Sequence, residues 1–140
     1  MVVSVDEGYW GFPMKPVVLV VEDNADNMKL VRWILEGEQY DLAEAENAER
    51  GLEILASRRV DLILMDISLP GMDGKEATRI IKADPRYKST PVVALTAHAV
   101  RGEDVAIMES GVSVLLTKPI DEEVLIETIQ NLIPAGSRDG

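Results

Sequence analysis

Four short runs in this chain are apolar almost without a break: Val17–Val21, Leu62–Met65, Val92–Leu95 and Val114–Leu116. A strand with one wet face alternates apolar and polar residues, so continuous runs of three to five call for cover on both faces. That condition is met by parallel strands sandwiched between two helix layers. A fifth segment, Asp41–Ala45 (DLAEA), alternates and reads as an edge strand exposed on one face. Between the runs lie helical stripes with i, i+3, i+4 spacing. They are Met28, Val31, Ile34 and Leu35; Ala48, Leu52 and Leu55; Ala77, Ile80 and Ile81; Val105 and Met108; and Leu125, Ile129, Leu132 and Ile133. Gly37 and Gly111 stand where helix C-caps are expected, and Pro91 can open a strand. The sum is (βα)5. Right-handed crossovers then place helices on both faces, giving a doubly wound α/β sheet.

At 140 residues and 46% hydrophobic, the chain has the size and the apolar content of one domain. The expected division is an N-terminal extension over residues 1–15, the domain over 16–133 and a tail over 134–140. The extension holds Tyr9, Trp10 and Phe12, three of the chain's six aromatics. A net charge of -11 disfavours nonspecific binding to nucleic acid or anionic membrane. With no cysteine, thiolate metal sites and disulfides are excluded. The longest apolar run, Val17–Val21, is too short to span a bilayer, and residues 1–16 lack the pattern of a secretory signal. These features fit a cytoplasmic location.

In a doubly wound sheet the ligand crevice lies at the carboxyl ends of the strands. Glu22 and Asp23 follow the first strand, Asp66 ends the third, Thr96 follows the fourth and Lys118 follows the fifth. Three carboxylates gathered in one crevice repel, at about 4 kcal/mol per pair at 4 Å for an effective dielectric near 20. A hard, oxygen-seeking cation such as Mg²⁺ removes that cost. Lys118 adds a fixed positive charge and Thr96 a hydroxyl, which together suit a tetrahedral anion. Aspartate is a nucleophile toward phosphorus, and phosphoryl transfer asks chiefly for positioning and charge neutralisation. Each residue also has a plainer reading. Asp66 can be a turn residue, the Glu22-Asp23-Asn24 segment and Thr96 can be helix caps, and Lys118 can be a solvated loop lysine. Their occurrence at the same end of adjacent strands argues for the shared site.

Four segments, VLVVEDNADNMKLV, DLILMDISLPGMDG, PVVALTAHA and LLTKPID, resemble in order and spacing the receiver domain of two-component response regulators, including the single-domain chemotaxis and cell-cycle type. The resemblance spans about residues 16–133. It implies a flavodoxin-like sandwich with strand order 2-1-3-4-5, Asp66 as the phosphorylated residue, and a Mg²⁺ (or Mn²⁺) site from Glu22, Asp23, Asp66 and the Ser68 backbone carbonyl. It also implies that Thr96 and Lys118 bind the phosphoryl group and that the Lys118–Pro119 bond is cis. The implied donor is a histidine kinase or a histidine phosphotransfer protein. The implied partner surface is the fourth helix, fifth strand and fifth helix. On this reading the chain is a signalling switch, not a turnover enzyme, and signals by protein contact, because it ends shortly after the last helix. A receiver module cut from a hybrid histidine kinase would look the same.

Two rival classes fit less well. A phosphatase of the aspartyl-phosphate type wants a second aspartate two residues after the nucleophile, where this chain has Ser68. An FMN carrier wants a Ser/Thr/Gly-rich loop after the first strand, where this chain has EDNADN. One departure from the family concerns readout. The position three before the lysine, usually Tyr or Phe, is Leu115, so readout is expected from the fourth helix and its preceding loop, Ala97 to Asp104. His98, the only histidine, is expected to border the path of the water that hydrolyses the aspartyl-phosphate. The aromatics of the extension are expected to pack on their own domain or on a second copy.

Overall fold

The computed structural model describes residues 15–97 and 103–133. Five parallel strands, β1 (Val17–Val21), β2 (Asp41–Ala45), β3 (Leu62–Asp66), β4 (Val92–Thr96) and β5 (Val114–Thr117), form one sheet in the order β2-β1-β3-β4-β5. The helices are α1 (Ala25–Glu36), α2 (Ala48–Ser57), α3 (Gly74–Ala83), α4 (Glu103–Glu109) and α5 (Glu122–Leu132), with a short 3₁₀ turn at Pro85–Tyr87. This is the expected doubly wound fold.

The two-residue period of the strands divides the core into two layers. Val18, Val20, Leu62, Leu64, Val93 and Leu95 face one side, where Val31 and Leu35 of α1 and Leu125 and Ile129 of α5 cover them. Leu19, Val21, Ile63, Met65, Val92 and Ala94 face the other, under α2, α3 and Ile107 of α4. Every residue of β1, β3 and β4 is buried, as their continuous apolar runs require. Asn or Asp caps four of the helices: Asn24, Asn47, Asp73 and Asp121 each accept a hydrogen bond from a backbone N–H three residues on.

Three expectations need correction. Ile80, Val105 and Met108 do not face the core but stand exposed. In α3 the inward positions belong to Gly74, Ala77, Thr78 and Ile81. Thr78 is tolerated there because its hydroxyl donates to the Gly74 carbonyl at 2.7 Å. In α4 the buried residue is Ile107. β5 meets both core layers, Leu115 on one face and Val114 and Leu116 on the other, but as an edge strand it leaves all three half-buried, not fully covered. Gly37 does cap α1, but in the right-handed region, and the turn is made two residues later by Gln39 at φ 68°. Gly111 does take the left-handed conformation, at φ 113°.

Candidate functional site

The carboxyl ends of β1, β3, β4 and β5 bring the sequence-selected residues to one crevice. β3 is the central strand, so Asp66 emerges between β1, which delivers Glu22 and Asp23, and β4, which delivers Thr96. Lys118 follows β5, and its N–H donates to the Thr96 carbonyl at 2.7 Å, which locks the β5 exit to the β4 end. The Lys118–Pro119 bond is cis. Glu22, Asp66 and Thr96 are buried, while Asp23 is exposed at the rim.

Lys118 Nζ lies 3.2 Å from Glu22 Oε1 and 3.2 Å from Asp66 Oδ2. One ammonium therefore bridges two buried carboxylates that belong to different strands. Burial pulls the lysine's pKa down, but the Asp66 and Glu22 charges together outweigh it and hold the pKa above the ordinary value. Burial, reinforced by the Asp66 carboxylate, pushes the Glu22 carboxyl above the usual carboxylate range. One positive charge is thus too little for this group of acids.

A ligand oxygen from each of Glu22, Asp23 and Asp66 lies within 4.8 Å of the others. Among the described residues, Glu22 Oε1 is the buried side-chain oxygen that accepts no hydrogen bond; its contact with Lys118 is an ion pair without hydrogen-bond geometry. Three carboxylates, two of which share one ammonium, fit a hard divalent cation.

The plainer readings of two segments hold alongside the functional one. Asn24 caps α1 by accepting from Asn27 N at 2.9 Å, and Asp66 Oδ1 accepts from Ser68 N at 3.0 Å in a local turn. That turn orients the Asp66 carboxylate while leaving Oδ2 to Lys118. Gly74 is a residue of the site that sequence reading passed over. It opens α3 directly against the end of β3, with its N–H donating to the Ile67 carbonyl at 3.1 Å. A Cβ at this position would strike the Asp66 carbonyl oxygen and come within 2.8 Å of Ile67 Cα. The available signal was an Asp-Gly pair at the start of a helical stripe, which reads first as a cap. His98 lies outside the described residues, as do Tyr9, Trp10 and Phe12 and most of the segment from Ala97 to Asp104. Leu115 packs toward the layer that contains Ile107.

Residues 18–130 match the response regulator receiver domain family. The chain belongs to this family. Among curated relatives, the polar-differentiation response regulator DivK of Brucella anthropi is 38% identical over 120 residues, covering 86% of this chain and 98% of DivK. The sensor protein GacS of Pseudomonas syringae pv. syringae is also 38% identical, over 117 residues, which is 81% of this chain and 13% of GacS. Among solved structures, the receiver domain of sensor histidine kinase PA1611 from Pseudomonas aeruginosa holds a magnesium ion in its active-site cleft. It superposes with a TM-score of 0.79 at 31% identity, covering 84% of this chain and 97% of that one. The chemotaxis response regulator CheY4 of Vibrio cholerae gives 0.79 at 26% identity, covering 84% and 98%. The receiver domain is therefore a module of two-component signalling on a flavodoxin-like fold. Among the described residues, no helix is long and apolar enough to cross a membrane.

Proposed function

We propose that this receiver domain is a stand-alone response regulator that takes a phosphoryl group from a phosphohistidine onto Asp66 and signals through protein contact. The observation that carries the reading is the single Lys118 ammonium shared at 3.2 Å by Glu22 and Asp66, beside three carboxylates arranged for one cation. The donor is a histidine kinase or a histidine phosphotransfer protein. An Asp66 oxygen forms the new O–P bond as the donor's N–P bond breaks, and the released imidazole takes its proton from solvent. Lys118 neutralises the charge that arrives with the phosphoryl oxygens, and the Thr96 hydroxyl donates to one of them. Glu22, Asp23, Asp66 and the Ser68 backbone carbonyl hold Mg²⁺ or Mn²⁺. When bound, the cation offsets the repulsion among these acids and the incoming phosphate. The protein performs its own phosphotransfer and slow dephosphorylation but turns over no substrate. The downstream partner reads the face made by α4, β5 and α5, where Val105, Met108 and Val124 are exposed.

The near-complete coverage of DivK favours a free-standing regulator. The match to a segment of GacS supports the second reading, a receiver module of a hybrid histidine kinase. A cytoplasmic location follows from either.

Metal binding is the first test. A ligand that binds only the folded chain at ten times its Kd adds about 1.4 kcal/mol of stability. Millimolar Mg²⁺ should raise the melting temperature, and Asp23→Ala, which removes an exposed ligand without opening the core, should abolish the rise. An unchanged melting temperature for the wild type in several millimolar Mg²⁺ would count against the cation site.

A further inference from the structure

We infer that the outer face of α1 is the docking surface for this chain's own aromatic leader, residues 9–12. Trp33 is 67% exposed and Leu30 is 38% exposed. They stand three residues apart on α1 and so form one apolar patch, on the side of the helix away from buried Met28, Val31, Ile34 and Leu35. A tryptophan left this open is an unusual solvent-facing residue for a helix whose inner face is already covered.

The occupant is set by where the leader enters the domain. Lys15 lines one groove with Arg32 and Glu36 of α1, and its carbonyl accepts a hydrogen bond from Arg59 at 3.2 Å. Pro16 follows it, and the Pro16 carbonyl is held by the Asp41 N–H at 2.9 Å. Lys15, which also lines a groove with Arg58 and Arg59, thus stands beside the carboxyl-terminal end of α1, and the leader starts within reach of that helix. Glu36, Trp33 and Leu30 follow one another at three-residue intervals up the helix from that point. The climb from Glu36 to Leu30 is about 9 Å along the axis. An extended chain reaches about 10 Å from Lys15 to Phe12 and about 20 Å to Tyr9. Pro13 and Pro16 bias Phe12 and Lys15 to extended backbone, so that reach is available. Tyr9, Trp10 and Phe12 can thus be laid along Trp33 and Leu30. Arg32, at the edge of the path, is held by Glu44 at 2.6 and 2.7 Å and does not obstruct it. A segment tethered this closely acts at an effective concentration of about millimolar, which favours the chain's own leader over a second copy.

The two tryptophans, Trp10 and Trp33, make the test direct. In full-length Trp10→Phe, Trp33 is the sole tryptophan and reports on the patch. Its acrylamide quenching constant should be low and its emission blue-shifted. In full-length protein carrying Tyr9→Ser, Trp10→Ser and Phe12→Ser together, quenching should rise about twofold or more, because the rings that stack over Trp33 are gone. Both changes lie in the leader, and circular dichroism should show the domain fold unaltered. Equal quenching in the two proteins would overturn the proposal. So would protection that disappears on dilution while sedimentation shows a dimer, since the cover would then come from a second copy.

Discussion

Gly74→Ala should destabilise the domain by about 3 kcal/mol, at the upper end of what overpacking costs. The added methyl would meet the Asp66 carbonyl oxygen and Ile67 Cα, both backbone, so no side chain can rotate away to relieve it. Relief needs α3 to move off the end of β3. That movement would pull on the hydrogen bond from Gly74 to the Ile67 carbonyl and turn the Asp66 carboxylate, whose Oδ1 is set by the neighbouring Ser68 N–H. Phosphoryl uptake should therefore fall even at temperatures where Gly74→Ala is folded. Gly51→Ala is the control: its methyl would reach 3.0 Å from a Val21 methyl group and touch no atom of Asp66 or Ile67, so it should cost stability without a separate loss of uptake. Chemical denaturation with parallel labelling by acetyl phosphate measures both quantities. A Gly74→Ala protein as stable and as reactive as the wild type would show that the contact between α3 and β3 is not what seats Asp66.

Lys118→Met should separate the lysine's charge from its stem. Removing one partner of a buried charged group costs about 3–5 kcal/mol when the remaining charges stay unpaired. Lys118 keeps some solvent contact and Glu22 can take up a proton, so about 3 kcal/mol is expected in metal-free buffer. The site left behind carries one positive charge less, so Mg²⁺ should stabilise Lys118→Met more than it stabilises the wild type. Labelling should be slower by about 10²-fold, the usual loss when a fixed positive group aimed at developing charge is removed. Thermal unfolding with and without Mg²⁺ and the labelling rate check these outcomes. A variant with wild-type stability in chelator and an unchanged Mg²⁺ response would mean that the ammonium does not hold the carboxylates together.

The fold was legible because the strands of a parallel sheet buried on both faces have no polar residues to confuse the period. Val17–Val21 and Asp41–Ala45 were bounded to the residue, and the other three strands each extend one residue further, to Asp66, Thr96 and Thr117. Parallel direction is also why the site was legible. Residues that end successive strands share one edge of the sheet, so Glu22, Asp66, Thr96 and Lys118 meet although they are far apart in the chain. The errors lie where burial depends on what covers a short element. α4 has seven residues and touches the core through Ile107, while Val105 and Met108, equally apolar, face outward. In α3, the inward place that Ile80 seemed to claim is held by Thr78, whose hydroxyl is satisfied inside its own helix. The close approach of Gly74 to Asp66 depends on how α3 meets β3, which local spacing does not encode. Leu115 gives no sequence pattern to separate a core leucine from an edge one. Only the strand order makes it half-buried.

The central claim is that Asp66 is the phosphoryl acceptor, and intact-protein mass spectrometry after incubation with Mg²⁺ and acetyl phosphate tests it most directly. Asp66→Asn keeps the size and the hydrogen-bonding carbonyl of the side chain, including the acceptor for the Ser68 N–H, but removes the anionic nucleophile. The wild type should gain one phosphoryl group that alkali or hydroxylamine removes, as expected of an acyl phosphate, and Asp66→Asn should gain none while keeping the wild-type circular dichroism. Labelling of Asp66→Asn to the same stoichiometry as the wild type would contradict the account.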